Sequence, residues 1–214
     1  MWQKMCEYIA DNYMKILLQV RDHLVISLLA LAAAVIIGVP IGYLASKSAK
    51  GEKYLTAPFQ MLRVVPSLAI LVLLIPVMGT GIKPAMTALT VLAIPPILLN
   101  TVVGFREVPA FMVESASGIG MTDREVLKKV RIPMALPMIL AGIRTGLVEI
   151  IASATLAAKI GAGGLGEIIF TGLGLNRPDL LLIGGILVAL LSLGSGFLFD
   201  HIVGRALPYK NLKE

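Results

Sequence analysis

Three ionisable side chains, Arg63, Arg144 and Glu149, sit inside runs of apolar residues. A charge near the centre of a membrane helix costs roughly 2.5–3.5 kcal/mol on insertion scales, so each needs a reason. Gly142, Thr145, Gly146, Glu149 and Ser153 share one helical face, and four of the five are small or hydroxylated. Gly142 and Gly146 form a G-x-x-x-G pair, which permits tight helix contact. The same face could line a pore, with Glu149 attracting a cationic solute. The competing reading is a buried ion pair of Glu149 with Arg63 or with an arginine of a partner subunit. Arg144 falls nearly opposite Glu149 on the helix, and both arginines are within snorkelling reach of one membrane surface.

Little else could do covalent chemistry. Ser153 and Ser192 have no nearby base, and no carboxylate pair is present. Cys6 is the single cysteine, which excludes an intrachain disulfide and a thiolate metal cluster. His23 and His201 lie at opposite ends of the chain without a second ligand at helical spacing, so no metal site is expected. There is no G-x-x-x-x-G-K-[ST] phosphate loop. Gly161-Ala-Gly-Gly-Leu-Gly166 fits G-x-G-x-x-G literally, but an apolar span precedes it where the dinucleotide motif needs a strand. Gly161, Gly163, Gly164 and Gly166 instead allow the backbone to turn or pack closely beside a membrane helix; either this serves a gate or the docking of an outside protein, or it is simple close packing.

The elements that position these residues follow from hydropathy. The chain has 214 residues, 57% of them hydrophobic and 15% charged, too little charge to cover a soluble domain. Five segments reach the roughly 20 apolar residues that a membrane span requires. They are residues 24–45, 55–78, 84–103, 134–158 and 180–203. Pro66 and Pro76 in the second, and Pro95-Pro96 in the third, are expected to kink or interrupt the helices. Residues 1–20 carry Trp2, Met5, Ile9, Tyr13, Ile16 and Val20 at three- and four-residue steps. That stripe reads as an amphipathic helix lying in the lipid interface, with a plain extension of the first span as the alternative, and not as a cleavable signal.

Lys and Arg exceed Asp and Glu by 19 to 13. They lie between apolar runs, so the excess reports topology and not nucleic-acid binding. Lys47, Lys50, Lys53, Arg106, Arg124, Lys128, Lys129, Arg131, Arg205, Lys210 and Lys213 fall on one side of a five-span layout. Six others, Lys4, Lys15, Arg21, Lys83, Lys159 and Arg177, fall on the opposite side. The N-terminus is therefore expected outside, with loop 104–133 and the tail 209–214 in the cytoplasm.

That loop is the one long polar stretch. Pro109 suits the start of a helix, which would run to about Ser117 and stop at Gly118 or Gly120. Thr122 then caps a second helix, with Glu125 completing a capping box. Pro133 is expected to end it and turn the chain back toward the membrane. A helix–turn–helix of this kind makes a rigid knob that can seat in a cleft of a soluble partner.

The loop resembles the EAA loop of binding-protein-dependent ABC importer permeases: Glu-Ala-Ala, three residues, Gly, nine residues, then Ile-x-Leu-Pro. Glu114, Ala116, Gly120 and Pro133 match, with Ser115, Val130 and Ile132 as small or aliphatic replacements. Val65-Pro-Ser-Leu-Ala69, Leu74-Ile-Pro76, Gly142-Ile-Arg-Thr145, Ala154-Thr-Leu-Ala157 and Ile160-Gly-Ala-Gly-Gly-Leu-Gly166 are similar to the quaternary-amine osmoprotectant branch. The glycine run is shared with methionine importer permeases.

The resemblance implies an all-α integral membrane protein, five transmembrane helices of the type I ABC importer permease fold. Residues 21–208 would be the permease domain in a bacterial cell membrane. It implies a non-catalytic subunit with no cofactor of its own, working with ATPase subunits that carry ATP and Mg. An identical or homologous second permease and an extracellular solute-binding protein complete the machine, surrounded by membrane lipid. Glu114, Ala116, Gly118, Gly120 and Pro133 would couple to the ATPase. The cargo would be glycine betaine, carnitine or choline, with methionine or an ergothioneine-like betaine as alternatives and a secondary transporter as the other class. Quaternary amines are usually held by aromatic cages. The spans offer only Tyr43, Phe59, Phe197 and Phe199, mostly near their ends, so selection would rest with the binding protein.

Overall fold

The computed structural model describes residues 1–206, and every regular element among them is helical. The tail expected at 209–214 lies outside the described residues. Helix α1 spans Trp2–Ser46, α2 Ala49–Leu62, α3 Ser67–Met78 and α4 Ile82–Arg106. Two short helices follow, α5 at Ala110–Gly118 and α6 at Asp123–Val126. The long α7 spans Ile132–Ala157, then α8 Gly166–Gly174 and α9 Pro178–Ala206. Four helical runs are long and apolar enough to cross a membrane, and the α2–α3 pair makes a fifth if its two helices count as one span.

Several expectations change in detail. The N-terminal segment does not end near residue 20: α1 runs through residues 20–24 without a break, and the kink that divides it lies at Asn12. Asn12 stands at φ −120° and ψ 17°. There the side-chain amide donates to the Tyr8 carbonyl at 3.0 Å and competes with the backbone ladder. The expected second span is broken into two helices, with Pro66 as the N-cap of α3. Arg63 therefore sits exposed at the C-cap of α2, not at the centre of a span. By contrast, α4 continues unbroken across Pro95-Pro96. Dense packing holds it there: Leu92, Ala93, Ile94, Ile97 and Leu98 are all buried. Pro133 does not turn the chain. It falls in the first turn of α7, and a π-helical turn over Leu127–Arg131 carries α6 into α7. Proline has no N–H to return to the carbonyl four residues back and its ring crowds that carbonyl. The wider π turn relieves the conflict, and the Ile132 N–H reaches back five residues to the Leu127 carbonyl.

The helices fall into two compact units. One comprises Met1–Ala32, Val65–Ala93 and Leu147–Glu214. In it Met5 and Ile16 pack with Leu165, Ile168, Leu180 and Ile183. Part of the N-terminal stripe thus packs on α8 and α9, while Trp2, Ile9, Tyr13 and Leu17 stay exposed. The other unit comprises Ala33–Val64 and Ile94–Gly146. Its helices touch through glycines. A Cβ at Gly42 would meet the Thr101 Cβ at 2.7 Å, and one at Gly142 the Pro96 carbonyl at 2.8 Å. Backbones that approach this closely gain dispersion contact, which is what holds helices together where lipid removes the hydrophobic drive.

Candidate functional site

The polar loop is built almost entirely from local capping rules. Pro109 caps α5. At its other end the Met121 N–H bonds to the Ala116 carbonyl and the Gly120 N–H to the Ser117 carbonyl, the two bonds of a Schellman motif. Gly120 adopts φ +86°, which L side chains rarely take. Nothing lies within 4 Å of where its Cβ would be, so conformation alone requires glycine here. Thr122 and Glu125 form the complete capping box. The Glu125 carboxylate accepts from the Thr122 N–H at 3.1 Å and from Lys129 Nζ at 3.0 Å. The backbone bond from Thr122, then the Lys129 ammonium, hold the Glu125 carboxyl down at about 2.

Glu114 is exposed, Ala116 buried and Gly118 in open surroundings. Glu114 lines a cavity of about 320 Å³ with Ser46, Phe105, Arg106 and Arg131. The Arg106 guanidinium pairs with Glu52. Two apolar side chains of this loop are open to solvent, Phe111 at 63% and Ile119 at 77%. With Glu114 they give the loop an amphipathic outer surface. Sequence reading did not single out these two residues. Their signal is two large apolar residues within a capped polar loop, which by itself does not say whether they point in or out.

The glycine segment forms a second turn, also closed by a Schellman motif. After α7 a single 3₁₀ turn spans Ala158–Ile160. The Ala162 N–H then bonds to the Ala157 carbonyl and the Gly161 N–H to the Ala158 carbonyl. Gly161, Gly163 and Gly164 all have φ near +80°. Gly166 opens α8, a helix that the sequence reading did not anticipate. A Cβ on Gly166 would fall 2.0 Å from the Thr155 carbonyl oxygen. The Ala154–Ala157 and Ile160–Gly166 motifs are thus two sides of one tight contact. The Gly81 N–H, just before α4, donates to the Ile160 carbonyl at 2.7 Å.

Two buried polar groups reach this turn from α1. Gln19 Nε2 donates to Glu167 Oε2 at 2.9 Å. His23 is 1% exposed. Its Nε2 donates to the Ile151 carbonyl at 2.9 Å, and its Nδ1 accepts from the Leu165 N–H at 3.3 Å. One donating and one accepting nitrogen define the neutral Nε2–H tautomer. Setting His23 aside as a metal ligand gave it no role in sequence, because its partners are main-chain groups 128 and 142 residues away.

The α7 residues separate by environment. Gly142 packs on α4, and Ser153 is buried. Thr145 is exposed and returns its hydroxyl to the Ala141 carbonyl at 3.0 Å. Glu149 is partly buried and Arg144 exposed. Ser192 donates to the Val148 carbonyl at 3.5 Å, and Cys6 and His201 are exposed.

Comparison with known proteins matches residues 24–207 to the family described as binding-protein-dependent transport system inner membrane component. The carnitine transport permease protein OpuCB of Listeria monocytogenes is 43% identical over 201 residues, 94% of this chain and 92% of that one. The choline transport system permease protein OpuBB of Bacillus subtilis is 39% identical over 94% of this chain and 90% of that one. Among solved structures, an inward-facing form of the MetNI methionine ABC transporter superposes with a TM-score of 0.75 at 26% identity. That match covers 91% of this chain and 97% of that one.

Proposed function

This chain belongs to the binding-protein-dependent transport inner membrane components, the non-catalytic permease subunits of ABC importers, and from that premise we propose how it carries its cargo and meets its motor. The cargo is a quaternary-amine osmoprotectant: glycine betaine, carnitine or choline. Support comes from relatives named for carnitine and choline transport that match nine-tenths of the chain. Two permease subunits, identical or homologous, form the pathway. An extracellular binding protein selects the solute and delivers it, which suits a permease with few aromatics in its spans.

Loop 104–133 faces the cytoplasm and meets a separate ATPase that holds ATP and Mg. The observation that carries this reading is the capped α5–α6 knob, with Phe111, Ile119 and Glu114 turned outward. A knob fixed by two caps transmits a push, where an uncapped loop would bend. The π turn leads directly into α7, so displacement of the knob reaches the helix bearing Thr145, Glu149 and Ser153. Those residues line the path. The turn of Gly161, Gly163, Gly164 and Gly166 lies at its outer end, as part of the gate. The N-terminus is outside and the C-terminus cytoplasmic, as the charge distribution favours.

Glu114→Lys is expected to lose the co-purifying ATPase and lower uptake at least about tenfold, the scale of one lost charge-assisted contact. The permease itself should still reach the membrane. Retention of the ATPase at wild-type stoichiometry would reject the coupling role. Glu149→Gln is expected to slow choline, a cation, more than zwitterionic glycine betaine. Equal rates for both solutes in the variant and the wild type would remove Glu149 from the path. Transport of methionine to the exclusion of all three quaternary amines would overturn the cargo assignment.

A further inference from the structure

We propose that His23 is a positioning residue that latches the glycine turn, holding Gly161–Gly166 in register with α1 and α7. This rests on the reading of that turn as part of the gate. Four observations converge on the imidazole. It is almost completely buried. Its Nε2 is anchored to the Ile151 carbonyl of α7. Its Nδ1 takes the N–H of Leu165, the N-cap residue of α8, whose own side chain makes no capping bond. Gly164, at φ +84°, leaves no room between ring and loop: a Cβ there would sit 3.0 Å from Nδ1.

Helix N-termini carry backbone donors without intrahelical partners, and a buried one must find an acceptor. Here the acceptor comes from a different helix more than a hundred residues away. Without it, the Leu165 N–H stays buried and unsatisfied while the turn is closed, and finds water only when the turn opens. The bond to Leu165 therefore biases the turn toward closed. The bond to Ile151 orients the ring so that Nδ1, and not Nε2, faces the turn.

The two bonds can be separated by substitution. The side-chain oxygen of asparagine lies near the position of histidine Nδ1, so His23→Asn keeps an acceptor for Leu165. Glutamine reaches the position of Nε2, so His23→Gln keeps the Ile151 anchor and loses the latch. The readout is N-ethylmaleimide labelling of Ala162→Cys, a position 4% exposed within the turn. It is made in a Cys6→Ser background, in the assembled transporter in proteoliposomes, with uptake measured alongside. His23→Gln and His23→Leu are expected to label about tenfold faster than the parent, the effect of freeing one buried N–H. His23→Asn should label within about twofold of the parent, and should restore uptake. A residue that only fills space would give the opposite order, with bulky leucine closest to the parent and asparagine furthest. That order, or unchanged labelling in all three variants, overturns the proposal. Faster labelling in His23→Gln with unchanged uptake leaves the latch standing and removes the turn from the gate.

Discussion

The polar loop and the glycine turn end their helices in the same way and then diverge. Both close with a Schellman motif, and both place a glycine in the left-handed region, Gly120 in one and Gly161 in the other. Past that point the loop turns Phe111, Glu114 and Ile119 outward. Its contacts are short in sequence: Ala116 to Met121, Thr122 to Glu125, Glu125 to Lys129. The glycine turn is pinned instead by distant partners, Gly81, His23 and Gln19. The lesson is that one local rule serves two purposes. A turn made by its own caps can be displayed as a free surface. A turn made with neighbours keeps its shape only while they stay in place.

The comparison breaks most sharply at Gly166. Gly166→Ala puts a methyl group 2.0 Å from the Thr155 carbonyl, and backbone cannot swing aside as a side chain can. Overpacking of this kind costs about 3 kcal/mol or more. The expected result is loss of folded protein by fluorescence-detected size exclusion, and wild-type yield would show that the two motifs do not press together as described.

A matched pair tests the role of neighbours more finely. Gly120→Ala and Gly164→Ala impose the same left-handed strain, roughly 1–2 kcal/mol each. Only Gly164 also has the His23 ring at 3.0 Å. The thermal midpoint of Gly164→Ala should therefore fall further than that of Gly120→Ala. Equal midpoints would mean the ring gives way without cost.

The smallest effect is expected from pH in the loop. Glu125 titrates at about 2 when folded, below its ordinary value near 4.5. A depressed folded value means the capping box stabilises the loop above the ordinary value. That contribution is lost as pH falls toward 2. Amide exchange at Val126 and Leu127, followed from pH 5 to pH 2 after correction for intrinsic rates, should show protection declining through that range. Glu125→Gln should flatten the profile. The same decline in Glu125→Gln would assign it to other carboxylates.

Much of the loop was legible in sequence because its bonds are local. Thr122 and Glu125 are three residues apart, and a capping box needs nothing else. Gly118 and Gly120 marked the end of α5 for the same reason. Apolar length alone marked four segments that fall within long apolar helices. Proline misled because its effect depends on surroundings. Pro66 breaks a helix, Pro95-Pro96 leaves one intact inside dense packing, and Pro133 is absorbed by a π turn.

What the sequence determined by itself was the membrane character, the long apolar helices, the caps of the loop and the spacing of its motif. These follow from hydropathy and from bonds between residues a few positions apart. The tertiary structure alone decided which glycines serve close contact and that residues 166–174 form a helix. It also decided that His23 spends both ring nitrogens on main-chain groups of other elements. Those outcomes depend on distances between segments far apart in the chain, and the period of a single helix carries no record of them.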